Sequence, residues 1–273
     1  MSKLSSTSAL VLLWAGQECY KSKNAMDFLN QLDLEEGRNL YEQCEEICPY
    51  YDEVIKNRKY GVFNLIKKSF SNESNNFQLV IAGAGLDALG IEITEHYVNA
   101  KVFELDSENT EFKSNLYNNL GNKSKSNIVF IETDLLNPSL VHKSISDNGW
   151  NPMKPTLLLF EGISYYLPTE SIQKLVHAIK PNWIIFEFLK HDDEIAADKI
   201  NIAKRVFDLI LSRCKLPYIK RYNYSGIEKL FDNMSVVDRC SMKHLEKMRT
   251  GSNKYFPAED SGWIEVCLLA DNS

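Results

Sequence analysis

The sequence is poor in the residues that build several common kinds of site. Its 273 residues include only five histidines, and the six cysteines (Cys19, Cys44, Cys48, Cys214, Cys240 and Cys267) form no C-x-x-C pair. Cys44 and Cys48 stand at helical spacing, but no histidine lies nearby to complete a zinc site, so no metal is implied. Free thiols in a reducing, cytoplasmic compartment are the expectation. Positive charge is also lacking: the net charge of -6 offers no overall field to draw in a polyphosphate backbone, which argues against a nucleic-acid partner. The densest basic spots are Lys56 to Lys59 and the pair Lys220 and Arg221. Apart from Arg58 they read as solvated faces. No apolar run is long enough to cross a bilayer. Ala9 to Ala15, behind Lys3, is short and lacks a convincing cleavage site, so a buried N-terminal helix is expected rather than a signal or membrane segment. No repeat period or low-complexity tract is present, which excludes solenoids and propellers. His142, His177 and His244 form no constellation with a serine or cysteine nucleophile, so hydrolase chemistry has no support, and His96 reads as structural.

What is present is an ordinary globular composition, 44% hydrophobic and 25% charged. The length favours one large α/β unit with an added cap. Residues 1–73 read as a helical cap, with apolar residues recurring at three and four positions (Ala25, Phe28, Leu29, Leu32; Val54, Val62, Leu65, Ile66), closed by the polar stretch Ser69 to Asn76. Residues 74–273 read as the core, in which short apolar runs alternate with helical patterns: Leu79 to Ala82, Lys101 to Leu105, Ile128 to Ile131, Thr156 to Phe160 and Trp183 to Phe188. That alternation predicts a mostly parallel sheet covered by helices on both faces. Asp193 to Leu216 is a long helical stretch, the main part of an insertion at about 193–224 that suits a substrate cover. Two last runs, Met234 to Ser241 and Trp263 to Ala270, show no convincing helix between them. They bring the count to seven strands and predict a reversed, antiparallel edge strand.

The run Leu79-Val80-Ile81-Ala82 leads straight into Gly83-Ala84-Gly85, a buried strand entering a turn where glycines let the backbone bend sharply and approach a ligand. A nucleotide would meet the following helix at its N-terminus. The second strand ends in Glu104-Leu105-Asp106, and Asp106 lies 23 residues after Gly83, where a carboxylate can accept both ribose hydroxyls. Glu104, on the same strand face, is its rival. Asp134 after the third strand could receive the adenine amino group or cap a helix. Because Gly83, Gly85 and Ala88 also satisfy Gly-x-Gly-x-x-Gly/Ala, an NAD-dependent oxidoreductase remains the alternative at this point.

The fourth strand runs directly into Glu161-Gly162-Ile163-Ser164-Tyr165-Tyr166-Leu167-Pro168. This block resembles the signature of the leucine carboxyl methyltransferase family, in which Glu-Gly is followed four residues later by Tyr-Leu. Asn57-Arg58-Lys59-Tyr60-Gly61, the glycine turn, Phe103-Glu104-Leu105-Asp106, Thr133-Asp134-Leu135 and the early Ser5-Ser6-Thr7-Ser8-Ala9 fall in the order of that family, so the likeness spans nearly the whole chain. The resemblance implies a Rossmann-like class I methyltransferase fold and S-adenosyl-L-methionine as cofactor. It implies that Arg58 pairs with the cofactor carboxylate and that Gly83 and Gly85 lie against its amino-acid portion. Asp106 would hold the ribose, Asp134 and Leu135 would border the adenine, and Glu161 would face the amino group. Lys21 or Lys23 would approach the carboxylate, and Tyr166 would touch the substrate.

The acceptor expected is a carboxylate or hydroxyl of a small molecule such as a biosynthetic intermediate, and methyl transfer from a sulfonium requires no metal. A carboxylate is already ionised at neutral pH, whereas a hydroxyl benefits from a base. His191, just after the fifth strand, is the candidate base, and an exposed loop histidine beside acidic residues is its other reading. A catalytically silent cofactor-binding protein is the remaining possibility.

Overall fold

The structure is a computed structural model that describes residues 6–71, 76–120, 127–214 and 218–272. Strand β1 (Gln78–Ala82) is buried along its whole length. Successive side chains of a strand point to opposite faces. Accordingly Leu79 and Ile81 enter one apolar cluster while Val80 and Ala82 enter another. β4 (Thr156–Phe160) repeats this, with Leu157 and Leu159 on one side and Leu158 and Phe160 on the other. Each fully buried leucine or valine side chain contributes about 1.5–3 kcal/mol, so such strands require cover on both faces. The intervening helices supply it.

Around β1 and β4 lie β2 (Lys101–Asp106), β3 (Ile128–Glu132), β5 (Trp183–Leu189), β6 (Met234–Ser241) and β7 (Ile264–Asp271). They form one seven-stranded sheet in the order β3-β2-β1-β4-β5-β7-β6. β1 to β5 pair in parallel, and β7 runs antiparallel to both β5 and β6. The reversed strand expected at the edge is therefore one place in from it, with β6 outside. The chain leaves β1 toward β2 and β3, then returns to begin again at β4. A crevice opens at the carboxyl ends of β1 and β4, where that direction switches.

The N-terminal segment folds as α1 (Ser6–Ala15), α2 (Lys23–Leu29), α3 (Glu35–Ile47) and α4 (Tyr51–Ser69). Leu10, Trp14, Phe28, Tyr51 and Val62 from these helices join the cluster that contains Leu79 and Ile81, so they share a core with the sheet. The boundary expected at residues 73–74 lies outside the described residues. Within the core, α5 (Leu89–His96), α6 (Thr110–Asn119), α7 (Pro138–Asp147) and α8 (Thr169–Ile179) connect the strands. α7 starts with Pro138 behind Asn137, whose side chain accepts from the Leu140 amide. α8 stops at Lys180 in the left-handed region, just before Pro181.

The long insertion contains α9 (Ala197–Cys214), followed by α10 (Tyr224–Leu230). Ala203, Val206, Phe207 and Ile210 turn one face of α9 into the core shared with the N-terminal helices. Contrary to the sequence reading, a helix does separate the last two strands: α11 (Met242–Thr250). Ser241 caps it by accepting from the His244 amide, and Gly251 closes it at φ +81°. Its inward apolar residues are only Met242 and Leu245, too few for a periodic signal. No helix among the described residues is long and apolar enough to cross a membrane.

Candidate active site

Strand register brings the crevice residues to one level. Ala82 pairs with Leu105 on one side and with Phe160 on the other. The next residue of each strand line, Gly83, Asp106 and Glu161, therefore emerges side by side at the carboxyl edge of the sheet. Gly83 and Gly85 hold φ of +67° and +52°, a region costly for residues with a Cβ. A Cβ on Gly83 would come within 2.9 Å of Ile163, and one on Gly85 within 3.1 Å of the Ser8 hydroxyl. The Gly85 amide donates to Asp106 Oδ2 at 2.7 Å, and the Glu108 amide donates to Oδ1 at 3.1 Å. Asp106 thus ties the glycine turn to the end of β2 while bordering the crevice. Its rival Glu104 is paired with Lys113, both side chains 2% exposed, and burial pushes the Glu104 carboxyl up to about 7 in spite of that partner.

α4 delivers two cations to the same place. Arg58 Nε donates to Glu161 Oε1 at 3.1 Å, and Lys59 Nζ reaches the same oxygen at 2.8 Å. Lys59 also pairs with Asp87, which lies in the turn between β1 and α5. Asp87 Oδ1 accepts from the Tyr20 hydroxyl at 3.0 Å and from the Leu89 amide at 2.7 Å. Burial alone would raise the Asp87 carboxyl, but the charge and hydrogen bond of Lys59, together with the charge of Lys113 and the Leu89 amide, hold the group below the ordinary carboxylate value. Behind this layer Glu187 of β5 accepts from the Gly162 amide at 2.5 Å. Burial pushes its carboxyl up to about 7 even though Arg58 opposes the shift.

In front of Glu187 lies a cavity of about 700 Å³ lined by Arg58, Lys59, Asp87, Asp106 and Glu161 among others. Its walls differ in chemistry and in origin. The charged wall comes from the strand ends and α4 and includes Arg58, Lys59, Asp87, Asp106 and Glu161. The other wall comes from α1, the first turn of α4, the turn after β4 and α9, and includes Trp14, Tyr51, Tyr165, Tyr166 and Phe207. Its rings contact one another: Trp14 and Tyr51 centroids are 4.4 Å apart, Tyr165 and Tyr166 4.6 Å, and Tyr165 and Phe207 5.7 Å. Desolvation raises the Tyr51 and Tyr165 hydroxyls above the ordinary phenol value, so both stay protonated. No histidine lines this cavity among the described residues.

Residues 44–180, which contribute most of the charged wall and the strands behind it, match the model of the leucine carboxyl methyltransferase family. The chain belongs to this family of S-adenosylmethionine-dependent methyltransferases. Solved structures share the fold at low identity. A DUF574-family protein from Streptomyces avermitilis superposes with a TM-score of 0.71 at 11% identity, covering 97% of each chain. A candidate methyltransferase from Thermobifida fusca gives 0.66 at 13% identity over 93% of this chain and 96% of its own. The magnesium protoporphyrin IX methyltransferase of Synechocystis, solved with S-adenosylmethionine bound, gives 0.50 at 9% identity over 92% and 99%. No curated protein matches the chain. The fold is that of the class I methyltransferases, and nothing in these likenesses supports the oxidoreductase alternative.

Set against this methyltransferase frame, the cavity gathers Arg58, Gly83, Gly85, Asp106, Asp134, Leu135, Glu161 and Tyr166, all read from the sequence as site residues. Asp134 does not cap α7, a place taken by Asn137. Its Oδ1 accepts from the Leu136 amide at 2.8 Å, which fixes the turn beside the cavity. Thr7 and Ser8 of the early serine and threonine segment also border the cavity, while Ser5 lies outside the described residues. His191 is not part of the cavity lining: its backbone amide donates to the Tyr222 carbonyl, and its exposed imidazole has Nδ1 3.1 Å from Asp193 Oδ2, the setting of a loop histidine beside acidic residues. Lys21 and Lys23 are also absent from that lining. The Lys21 amide donates to Glu92, and the Lys23 ammonium pairs with Asp27 at the surface. The cation that sequence reasoning missed is Lys59, assigned there to a solvated face but 7% exposed here. Its signal was helical spacing: Ile55, Lys59 and Val62 lie on one inward stripe of α4.

Proposed function

We propose that the chain is an S-adenosylmethionine-dependent O-methyltransferase that esterifies a carboxylate on a small, largely apolar molecule. The observation that carries this reading is a cavity that joins a zwitterion-matched charged wall to an aromatic wall, with no histidine lining it among the described residues. The residues present fit the cofactor. Gly83 and Gly85 form a positive-φ turn with bare backbone at the cavity edge, and each Asp106 oxygen, with one lone pair used by an amide, has capacity for a ribose hydroxyl. Leu135 offers an apolar edge to the adenine, with Asp134 beside it. Arg58 would hold the cofactor's carboxylate and Glu161 its ammonium, cation and anion being already adjacent.

S-adenosylmethionine supplies a methyl group already activated on a sulfonium. The remaining work of the protein is to align the acceptor oxygen and exclude water, which the rings from α1, α4 and α9 are placed to do. A carboxylate, with a pKa of about 4, arrives ionised, whereas a phenol near 10 calls for a base. Tyr51 and Tyr165, held protonated, can donate to an acceptor but not take its proton. The charge of -6 supports a small-molecule partner over a nucleic acid. Cys19, Cys48, Cys240 and Cys267 are thiols, in keeping with the reducing, cytoplasmic setting proposed here.

The test is transfer from methyl-labelled cofactor to paired panels of small apolar acids and the matching alcohols and phenols. An ester product releases labelled methanol in mild base. Base-stable label, found only with hydroxyl acceptors, would overturn the carboxylate assignment.

A further inference from the structure

We propose that Lys59 is a positioning residue that holds Asp87 and Glu161 together as the carboxylate pair that receives the ammonium of the cofactor's amino-acid end. The inference rests on the cofactor reading above and adds a residue to it.

Lys59 stands between two carboxylates that belong to different parts of the sheet. Glu161 follows β4, and Asp87 lies in the turn after β1. Arg58 also reaches Glu161, so the cluster holds two cations and two anions and is neutral in sum. A zwitterionic amino-acid group entering such a cluster meets both signs without leaving a buried charge uncompensated. Lys59 has a second link, through Asp87, to the Tyr20 hydroxyl in the segment joining α1 and α2. The same lysine therefore connects the floor of the charged wall to the helices that cover it.

Without the Lys59 ammonium, burial becomes the dominant influence on Asp87 and favours its protonated form. Besides Lys59, the charged and titratable groups facing Asp87 and Glu161 are Arg58, Tyr20, Cys19, Lys113, Glu104 and Glu187. Of the cations among them, Arg58 is engaged by Glu161 and Lys113 by Glu104, so neither replaces Lys59 at Asp87. An incoming ammonium would then have to displace a proton.

Calorimetric titration of S-adenosylhomocysteine at neutral pH, in buffers of different ionisation heat, reads both affinity and proton exchange. Relative to the unmodified protein, Lys59→Met is expected to bind about ten- to a hundredfold more weakly, the loss of a charge-assisted contact. It is also expected to release up to about one additional proton per ligand. The double variant Lys59→Met/Asp87→Asn removes one charge of each sign. It should return proton exchange to the unmodified value while affinity stays low. Unchanged affinity and proton exchange in Lys59→Met would overturn the proposal. If that variant does not fold, native affinity in the double variant would overturn it equally. Failure of the unmodified protein to bind S-adenosylhomocysteine would instead remove the cofactor reading on which the proposal stands.

Discussion

The two walls of the cavity were built by different means. The charged wall depends on strand register: once Ala82 pairs with Leu105 and Phe160, the residues that follow must meet at the edge of the sheet. Its chemistry is fixed by backbone hydrogen bonding and by two cations from one helix. The aromatic wall depends on packing between α1, α4, the turn after β4 and α9, segments up to some two hundred residues apart along the chain. The difference separates what the fold as a whole dictates from what this chain has made its own. A sheet edge offers few ways to cradle a nucleotide. A helical cover can be repacked around many acceptors while that edge stays intact.

This division makes quantitative expectations. Asp106→Ala strikes the charged wall and carries the largest effect: binding of S-adenosylhomocysteine should weaken by about 1–3 kcal/mol through lost charge-assisted hydrogen bonds. Titration calorimetry on protein shown to be folded by its thermal unfolding curve reads it directly, and native affinity would remove Asp106 from the ribose site. Phe207→Ala strikes the other wall. Losing that ring should raise the acceptor KM about tenfold and leave S-adenosylhomocysteine affinity within about twofold. Equal losses for both ligands would show that the walls do not act separately. His191→Ala, outside both walls, should leave kcat and both affinities unchanged, and a fall in kcat that grows toward low pH would return it to the site.

The same contrast explains what could be read before any coordinates. The parallel strands, the glycine turn and the place of Asp106 beside it are legible because each is marked by a short local pattern: an apolar run, a positive-φ turn, an acid at a strand end; Glu161 enters only through the family resemblance. Arg58 was legible through its motif alone. Lys59, next to it, was misplaced because charge was weighed above helical spacing, although Ile55 and Val62 already marked the inward stripe. α11 escaped because only Met242 and Leu245 give it an apolar face. The inset position of β7 escaped because strand order at the end of a sheet is a matter of pairing, and Met234 to Ser241 carries no sign of which neighbour it will take. His191 shows both sides of a local pattern: its position after a strand makes it a candidate base, while the acids that follow it mark an exposed loop, and the ring sits beside Asp193. Trp14, Tyr51 and Phe207 could be recognised as apolar positions, yet nothing local indicated that their rings would meet around one cavity.

The central claim is that the edge formed by Gly83, Gly85, Asp106 and Glu161 holds an S-adenosyl cofactor. Its most direct test is parallel calorimetry of the purified protein with S-adenosylhomocysteine and with NAD. Saturable one-to-one binding of S-adenosylhomocysteine and none of NAD is the expected result; binding of NAD without S-adenosylhomocysteine would contradict it.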